Sequence, residues 1–336
     1  MSAVGYDAPN AGKWNDAVIY QPEFFGQMTE VLQQFSDVFN AGSRGAMTIV
    51  PRQLPGDFEK ESFIKHIPGL VRSRDPKSND NVGDKKIEMD ELVNVKINRG
   101  LGPVAQTLDF WRKIGSDPME MSFYLGQQTG KQVAVDYLNT GIGSLVTALG
   151  GTSGLSYDVT DTAEEKKTLR TEWLVRGNAL FGDKSGEIVA YVMHSKPWHD
   201  LLEGQIVDGV TDVASTRIFT GSLDAALGRP VIITDSDQLV VKDEYGAIVG
   251  YRTLGLVAGA LRLDQSEDQY VTMSEVTGQE NIVWRMQGEY AFNLGMQGFA
   301  YTGDEAPGDD DLFNAANWSF RYHDLKMAPG VEVITL

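Results

Sequence analysis

Apolar residues recur at three- and four-residue spacing through Phe24, Phe25, Met28, Val31, Leu32, Phe35 and Val38, which predicts an amphipathic helix closed by Gly42-Ser-Arg-Gly45. From Thr48 to Thr107 the period shortens. Ser62–Ile67 and Glu91–Asn98 read as two strands, and the tract Arg72–Lys86 between them is rich in turn formers with almost nothing to bury. Asp117-Pro118-Met-Glu120 then offers an acidic N-cap, a proline at the first helical position and a glutamate at the third. Helical spacing holds from Phe123 through Tyr137, Ile142 and Leu145 to Leu149, despite Gly126 and Gly130, until Gly150-Gly151 stops it. Unbroken, such a helix would reach about 50 Å at about 1.5 Å per residue, a spine with one face on a sheet. A second helix is predicted over Thr162–Phe181, with Glu164 and Glu165 at its positive end and Gly182 closing it. Further strands are predicted at Ile188–Met193, Val231–Thr234, Leu254–Leu261 and in one long run, Ile282–Tyr301, with a short helix over Lys196–Leu202. The loop Gly303–Asp311 is acidic and turn-like. The class is α+β, because strands and helices do not alternate long enough for a doubly wound parallel sheet.

Length and composition narrow this picture. A chain of 336 residues, 42% hydrophobic and 23% charged, carries about two domains with a core each. No window reaches the run of about 18 to 20 apolar residues that a membrane helix needs, so no membrane partner is expected. The start, Met-Ser-Ala-Val-Gly-Tyr-Asp, has neither a basic segment nor an apolar stretch and is not read as a secretory signal, so the chain is expected to fold in a cytoplasm. The absence of cysteine removes disulfides, thiolate metal sites and cysteine nucleophiles together. A net charge of −18 argues against a sequence-independent grip on phosphates, which needs clustered Lys and Arg. The acidity reads either as plain solubility or as the lining of an anionic container. Residues 52–90 depart from it: eight cations (Arg52, Lys60, Lys65, Arg72, Arg74, Lys77, Lys85, Lys86) balance eight carboxylates. A long two-stranded ribbon is marginal alone in water, so it either leans on something outside its own domain or is a surface hairpin.

Constellations for catalysis are hard to find. Of the four histidines, His66, His194, His199 and His323, the closest pair is five apart, which does not place two imidazoles on one helical face. His194-Ser195 lacks a nucleophile elbow. Asp304, Glu305, Asp309, Asp310 and Asp311 supply oxygens but not the alternating frame of a calcium loop, so a solvated turn is favoured. Gly141-Ile-Gly143 lies inside an apolar helical pattern, and the tryptophans are not interleaved with a basic patch. No catalytic, cofactor-binding or metal-ligating residue is assigned.

Four blocks in order carry more information. The helical run Asp117–Leu149 precedes Tyr191-Val-Met-His194-Ser195-Lys-Pro-Trp-His199-Asp-Leu-Leu202, then Gly228-Arg-Pro230-Val-Ile-Ile-Thr-Asp235, then Asn317-Trp318 through Lys326-Met-Ala-Pro-Gly330-Val-Glu-Val. Their order and spacing over roughly residues 100–336 resemble the major capsid (coat) proteins of tailed bacteriophages. The resemblance implies the Hong Kong 97-type capsid fold: an N-terminal arm (1–47), an extended two-stranded loop (48–107), a peripheral domain with the long spine helix (108–151 and 276–302), and an axial domain (152–275 and 303–336). It makes Met-His-Ser the end of a buried strand, with Ser195 capping the next helix. It implies a structural protein, not an enzyme, that assembles through pentamers and hexamers into an icosahedral shell around the phage genome. The eight cations of residues 52–90 become candidate contacts between subunits, and no cofactor is implied. Partners would be copies of the chain itself together with scaffolding, portal and decoration proteins, with packaged DNA a neighbour that is not specifically bound. The location would be the virion capsid, assembled in the bacterial host cytoplasm. The same fold serves encapsulin nanocompartments, which is one alternative; a metal-dependent hydrolase using His194 and His199 is another.

Overall fold

The computed structural model describes residues 21–52, 56–74, 76–77, 81–107, 118–162, 167–207, 228–278 and 280–336. The first twenty residues of the expected arm, the Asp117 cap, Glu164, Glu165 and parts of the Arg72–Lys86 tract lie outside them.

Two sheets share one long helix. The first has five strands in the order β1-β9-β10-β3-β2, built from β1 (Met47–Pro51), β2 (Phe58–Ile64), β3 (Met89–Thr107), β9 (Leu261–Val276) and β10 (Val283–Met296). The second runs β4-β13-β8-β5-β6, from β4 (Ser156–Asp158), β5 (Ile188–Met193), β6 (Val231–Ile233), β8 (Ile248–Val257) and β13 (Gly330–Thr335), with β7 (Val240–Lys242) paired to β8. A small pair, β11 (Phe299–Tyr301) and β12 (Trp318–Phe320), sits beside them. Helix α1 spans Gln21–Gly42 and α2 spans Pro118–Gly150, the 33-residue spine expected from the periodicity. Three shorter helices follow: α3 (Thr171–Asn178), α4 (Ser195–Val207) and α5 (Asp309–Leu312).

The core runs along α2. Tyr137 meets the ring of Phe292 at 4.7 Å and that of Tyr290 at 5.9 Å, which seats the helix on β10. Ile142, Leu145 and Leu149 continue the buried stripe towards the second sheet. The glycines inside α2 are contact points. A Cβ on Gly126 would lie 2.4 Å from the Phe24 carbonyl oxygen, and one on Gly143 would lie 2.3 Å from the Phe313 ring. Each glycine costs a helix interior about 1 kcal/mol relative to alanine, and here the closer packing offsets it.

Several expectations are corrected. Within 21–42 of the expected arm, Phe24, Met28, Leu32 and Phe39 are buried against the same chain, because the glycine notch of α2 admits the α1 backbone. The helix predicted over Thr162–Phe181 starts at Thr171 instead. Before it, the Asp158 carboxylate accepts from both the N–H (2.7 Å) and the hydroxyl (2.6 Å) of Thr160, a local turn that competes with helix formation. Gly182, with φ of +54°, breaks the tight turns that follow α3. Ser195 is not the cap of α4: it is the first helical residue, and Nδ1 of His194 accepts the Lys196 N–H at 3.2 Å. The expected strand Leu254–Leu261 is two strands, β8 and β9, joined by a turn at Gly259 (φ +74°) that passes the chain from one sheet to the other. Residues 261–275, assigned above to the axial domain, are hydrogen-bonded in the first sheet between β1 and β10. The run Ile282–Tyr301 likewise divides at Gly298 into β10 and β11.

Candidate assembly surface

An antiparallel ribbon leaves the edge of the five-stranded sheet. β2 pairs with β3 from Phe58↔Val95 to Ile64↔Met89, and the Lys65 N–H bonds the Glu88 carbonyl at 2.9 Å as the last rung. Pro68 lacks the N–H that would continue the ladder. The ribbon was expected at Ser62–Ile67, four residues too far along, because Glu59 and Glu61 look like loop residues. They lie on the face of an edge strand that meets Arg262 of β9. Beyond the last rung none of the described residues is in a strand or helix, and Val71 (95% exposed), Ile87 (68%) and Leu70 stand in the open, as do Ile64 and Met89 of the last strand pair. Burying such a side chain fully contributes about 1.5–3 kcal/mol.

The eight cations divide by position. At the root, Arg52 pairs with Glu59 (2.9 Å), Lys60 with Glu91 (3.0 Å) and Lys65 with Asp90 (3.3 Å). At the tip, Arg72, Arg74, Lys85 and Lys86 are exposed and carry no ion pair among the described residues, with Lys77 in the turn between them. Exposed pairs such as Lys60–Glu91 contribute little, about 0–1 kcal/mol. Among the described residues, Arg72, Arg74, Lys85 and Lys86 are therefore the cations of this ribbon without an ion pair in their own chain.

Two braces hold the root, and sequence reasoning missed both because their partners lie about 200 to 260 residues away. On one side, Arg262 of β9 donates to Glu59 (2.6 Å), Glu61 (3.0 Å) and Asp264 (2.9 Å). Burial opposes the Arg262 charge, but Asp264, Glu61 and Glu59 outweigh it and hold its pKa above the ordinary value. Burial pushes the Asp264 carboxyl up against the pull of Arg262 and Arg52. On the other side, Phe63 meets Tyr322 edge to face at 5.2 Å, and the rings of His66 and His323 stack at 4.1 Å. Asp90 lies beside this brace; the Glu91 N–H, then Lys65 and Arg321, hold its carboxyl below the usual range against burial.

The places that suggested chemistry are structural. His194 Nε2 stands 3.5 Å from Asp235, while His199 is exposed one turn further along α4. Among the described residues no three His, Cys, Asp or Glu side chains are placed to share a metal ion. A cleft of about 500 Å³ lies between α2, the 234–238 loop and α5. Its carboxylates are engaged: Arg99 bonds Asp136 at 3.2 Å and Asp309 at 2.5 Å, and the Tyr290 hydroxyl donates to Asp136 at 2.7 Å. Within the acidic loop, Asp311 accepts the Gly308 N–H at 3.1 Å and so starts α5.

With this geometry in view, the family model described as "Gp13-like: Major capsid protein 13-like" matches residues 16–332. No curated protein matches in sequence. Among solved structures, the chain is similar to one titled "Cyanophage Pam1 capsid asymmetric unit" (TM-score 0.51, 11% identity, covering 86% of this chain and 88% of that one). It is also similar to a structure titled "Microbacterium phage Oxtober96" (TM-score 0.51, 8% identity, covering 87% and 90%). At such identities the likeness is one of fold, the Hong Kong 97-type capsid fold.

Proposed function

Because this chain belongs to the major capsid protein 13-like family, we propose that copies of it assemble through pentamers and hexamers into an icosahedral phage shell, closed by laying each extended loop over a neighbour. The role is structural: the family is one of capsid proteins, and the encapsulin-like reading is not favoured. The observation that carries the loop-mediated mechanism is the ribbon beyond Lys65, where open apolar side chains and four cations with no ion pair among the described residues project from an otherwise acidic chain. Obligate interfaces bury about 2,000–5,000 Å². At about 25 cal/mol per Å² of apolar area, the lower end of that range outweighs the ordering of a short loop.

The domain reading belongs to the same proposal with one boundary moved. Residues 261–275 join 276–302 in the peripheral unit, because β9 is zipped to β10, and the first axial segment ends at the turn before Leu261. Scaffolding, portal and decoration proteins are further partners under this reading, packaged DNA is a neighbour without specific contacts, and assembly takes place in the host cytoplasm before the chain resides in the virion. No helix among the described residues is long and apolar enough to cross a membrane.

Negative-stain microscopy of the expressed chain tests the shell, which should appear as closed particles tens of nanometres wide. Deleting Arg72–Lys86 tests the loop. The shortened chain should remain folded and soluble but form no shells, and normal particles from it would overturn loop-mediated closure.

A further inference from the structure

We propose that Arg262 is the positioning residue that fixes the angle at which the extended loop leaves the sheet, and so the geometry in which shells close. The inference rests on the loop-mediated reading above and names the part that aims the loop. Four strands contribute to one row across the sheet: Arg262 pairs with Gly295, the neighbouring rung of β10 and β3 sets Gly295 beside Asn94, and Asn94 pairs with Glu59. Strands lie about 4.8 Å apart, so β9 and β2 are some three spacings from one another and do not touch by backbone. Gly295 makes the crossing possible. A Cβ there would lie 2.6 Å from the Asn94 side-chain oxygen, and with no side chain at Gly295 the guanidinium can extend over it to the loop strand.

The guanidinium is fully committed at the far end. Its Nε faces Asp264 on its own strand at 2.9 Å, while its two terminal nitrogens face Glu59 at 2.6 Å and Glu61 at 3.0 Å. Asn94 donates to the same Glu59 oxygen at 3.0 Å, and Arg52 approaches both Glu59 (2.9 Å) and Asp264 (3.7 Å). Among the described residues β2 is an edge strand paired with β3 alone, so this tie, with the ring contacts to Tyr322 and His323, is what keeps the ribbon from swinging about β3. A planar fork holding carboxylates of two strands at once resists that swing, and a lysine ammonium, a single point charge, cannot reproduce it.

Two variants separate positioning from simple charge balance. Glu59→Ala/Glu61→Ala leaves Arg262 paired with Asp264 and cuts its link to the loop strand, together with the Glu59 contacts of Arg52 and Asn94. Arg262→Lys keeps the cation beside the buried Asp264. In both, amide exchange in β2 should speed about tenfold while α2 exchange stays as in the parent, and closed particles should give way to a spread of sizes and open sheets. The denaturation midpoint of Arg262→Lys should stay near that of the parent chain. Parent-like β2 protection and uniform shells in both variants would overturn the proposal. If the parent chain forms no shells, the function assigned above fails, while β2 exchange in the soluble chain still decides whether Arg262 holds the loop.

Discussion

At the residue scale the glycines show what a sequence hides. Gly126 and Gly130 read as weak points in a helical pattern, yet they are where α1 presses on α2, the Phe24 and Met28 carbonyl oxygens standing 2.4 and 3.0 Å from where a Cβ would be. Gly26 in α1 has nothing within 4 Å of that position. Gly126→Ala must push backbone against backbone, so it should destabilise by about 1–3 kcal/mol, as overpacking does. Gly26→Ala should stabilise by about 0.5–1 kcal/mol through helix propensity alone. Urea midpoints of the two variants check both signs, and a cheap Gly126→Ala would mean the helices do not touch as described. Glu332 gives a pH test. It is buried in β13, where burial pushes its carboxyl above the ordinary range and Arg252, 3.2 Å away, only partly offsets this. A carboxyl with a raised pKa takes up its proton more readily in the folded chain. Its contribution to stability is therefore greatest below the unfolded glutamate value of about 4.3, and it declines as pH rises through the folded value. Glu332→Gln should remove that decline. Denaturation midpoints measured at about pH 4 and about pH 7 should differ between parent and variant by this single slope.

At the element scale, legibility followed periodicity. The spine was readable almost to the residue because a long helix repeats its pattern many times, and β5 was readable because it is buried on both faces. β9 was not, since one of its faces carries Arg262, Asp264 and Glu267; in sequence that looks like a loop, and only the partners across the sheet explain it. β3 was cut short at Asn98 because Gly100, Gly102 and Pro103 read as breakers, whereas the strand continues through a shift in register opposite Met286 and Gly288. The candidate site was legible as a neutral, cation-bearing ribbon, but its braces at Arg262, Tyr322 and His323 were not, because no local pattern marks a contact about 200 to 260 residues away. The turn between β8 and β9 was missed for a similar reason: an apolar stretch continues across it. Gly259 holds φ of +74° there and its N–H bonds the Gly45 carbonyl at 2.7 Å, tying the turn to the end of α1. Gly259→Val should cost about 1–2 kcal/mol from the left-handed conformation alone. The effect should appear as a lower thermal midpoint, and an unchanged midpoint would show that the turn can adopt another conformation.

At the scale of the whole molecule, charge sets the terms of assembly. Each copy carries −18, and bringing copies together concentrates that charge. The attraction available to oppose it is short-ranged: apolar side chains at the loop flanks and a few tip cations that meet carboxylates only on contact. Repulsion between exposed charges acts over a Debye length, which falls from about 30 Å at 0.01 M salt to about 8 Å at 0.15 M, while apolar burial is scarcely affected over that range. Raising the salt should therefore lower the concentration at which shells form, even though it weakens individual loop ion pairs. Sedimentation velocity at fixed chain concentration across that salt series distinguishes the two: a growing shell fraction means apolar flanks close the particle, and a shrinking one means the tip cations dominate. Under the shell reading proposed above, the same charge would bear on packaged DNA. A surface that repels phosphate cannot bind DNA by counterion release, so filter binding near physiological salt should show no retention by the unassembled chain. Such a wall would confine a genome without gripping it, which suits a container whose contents must later leave.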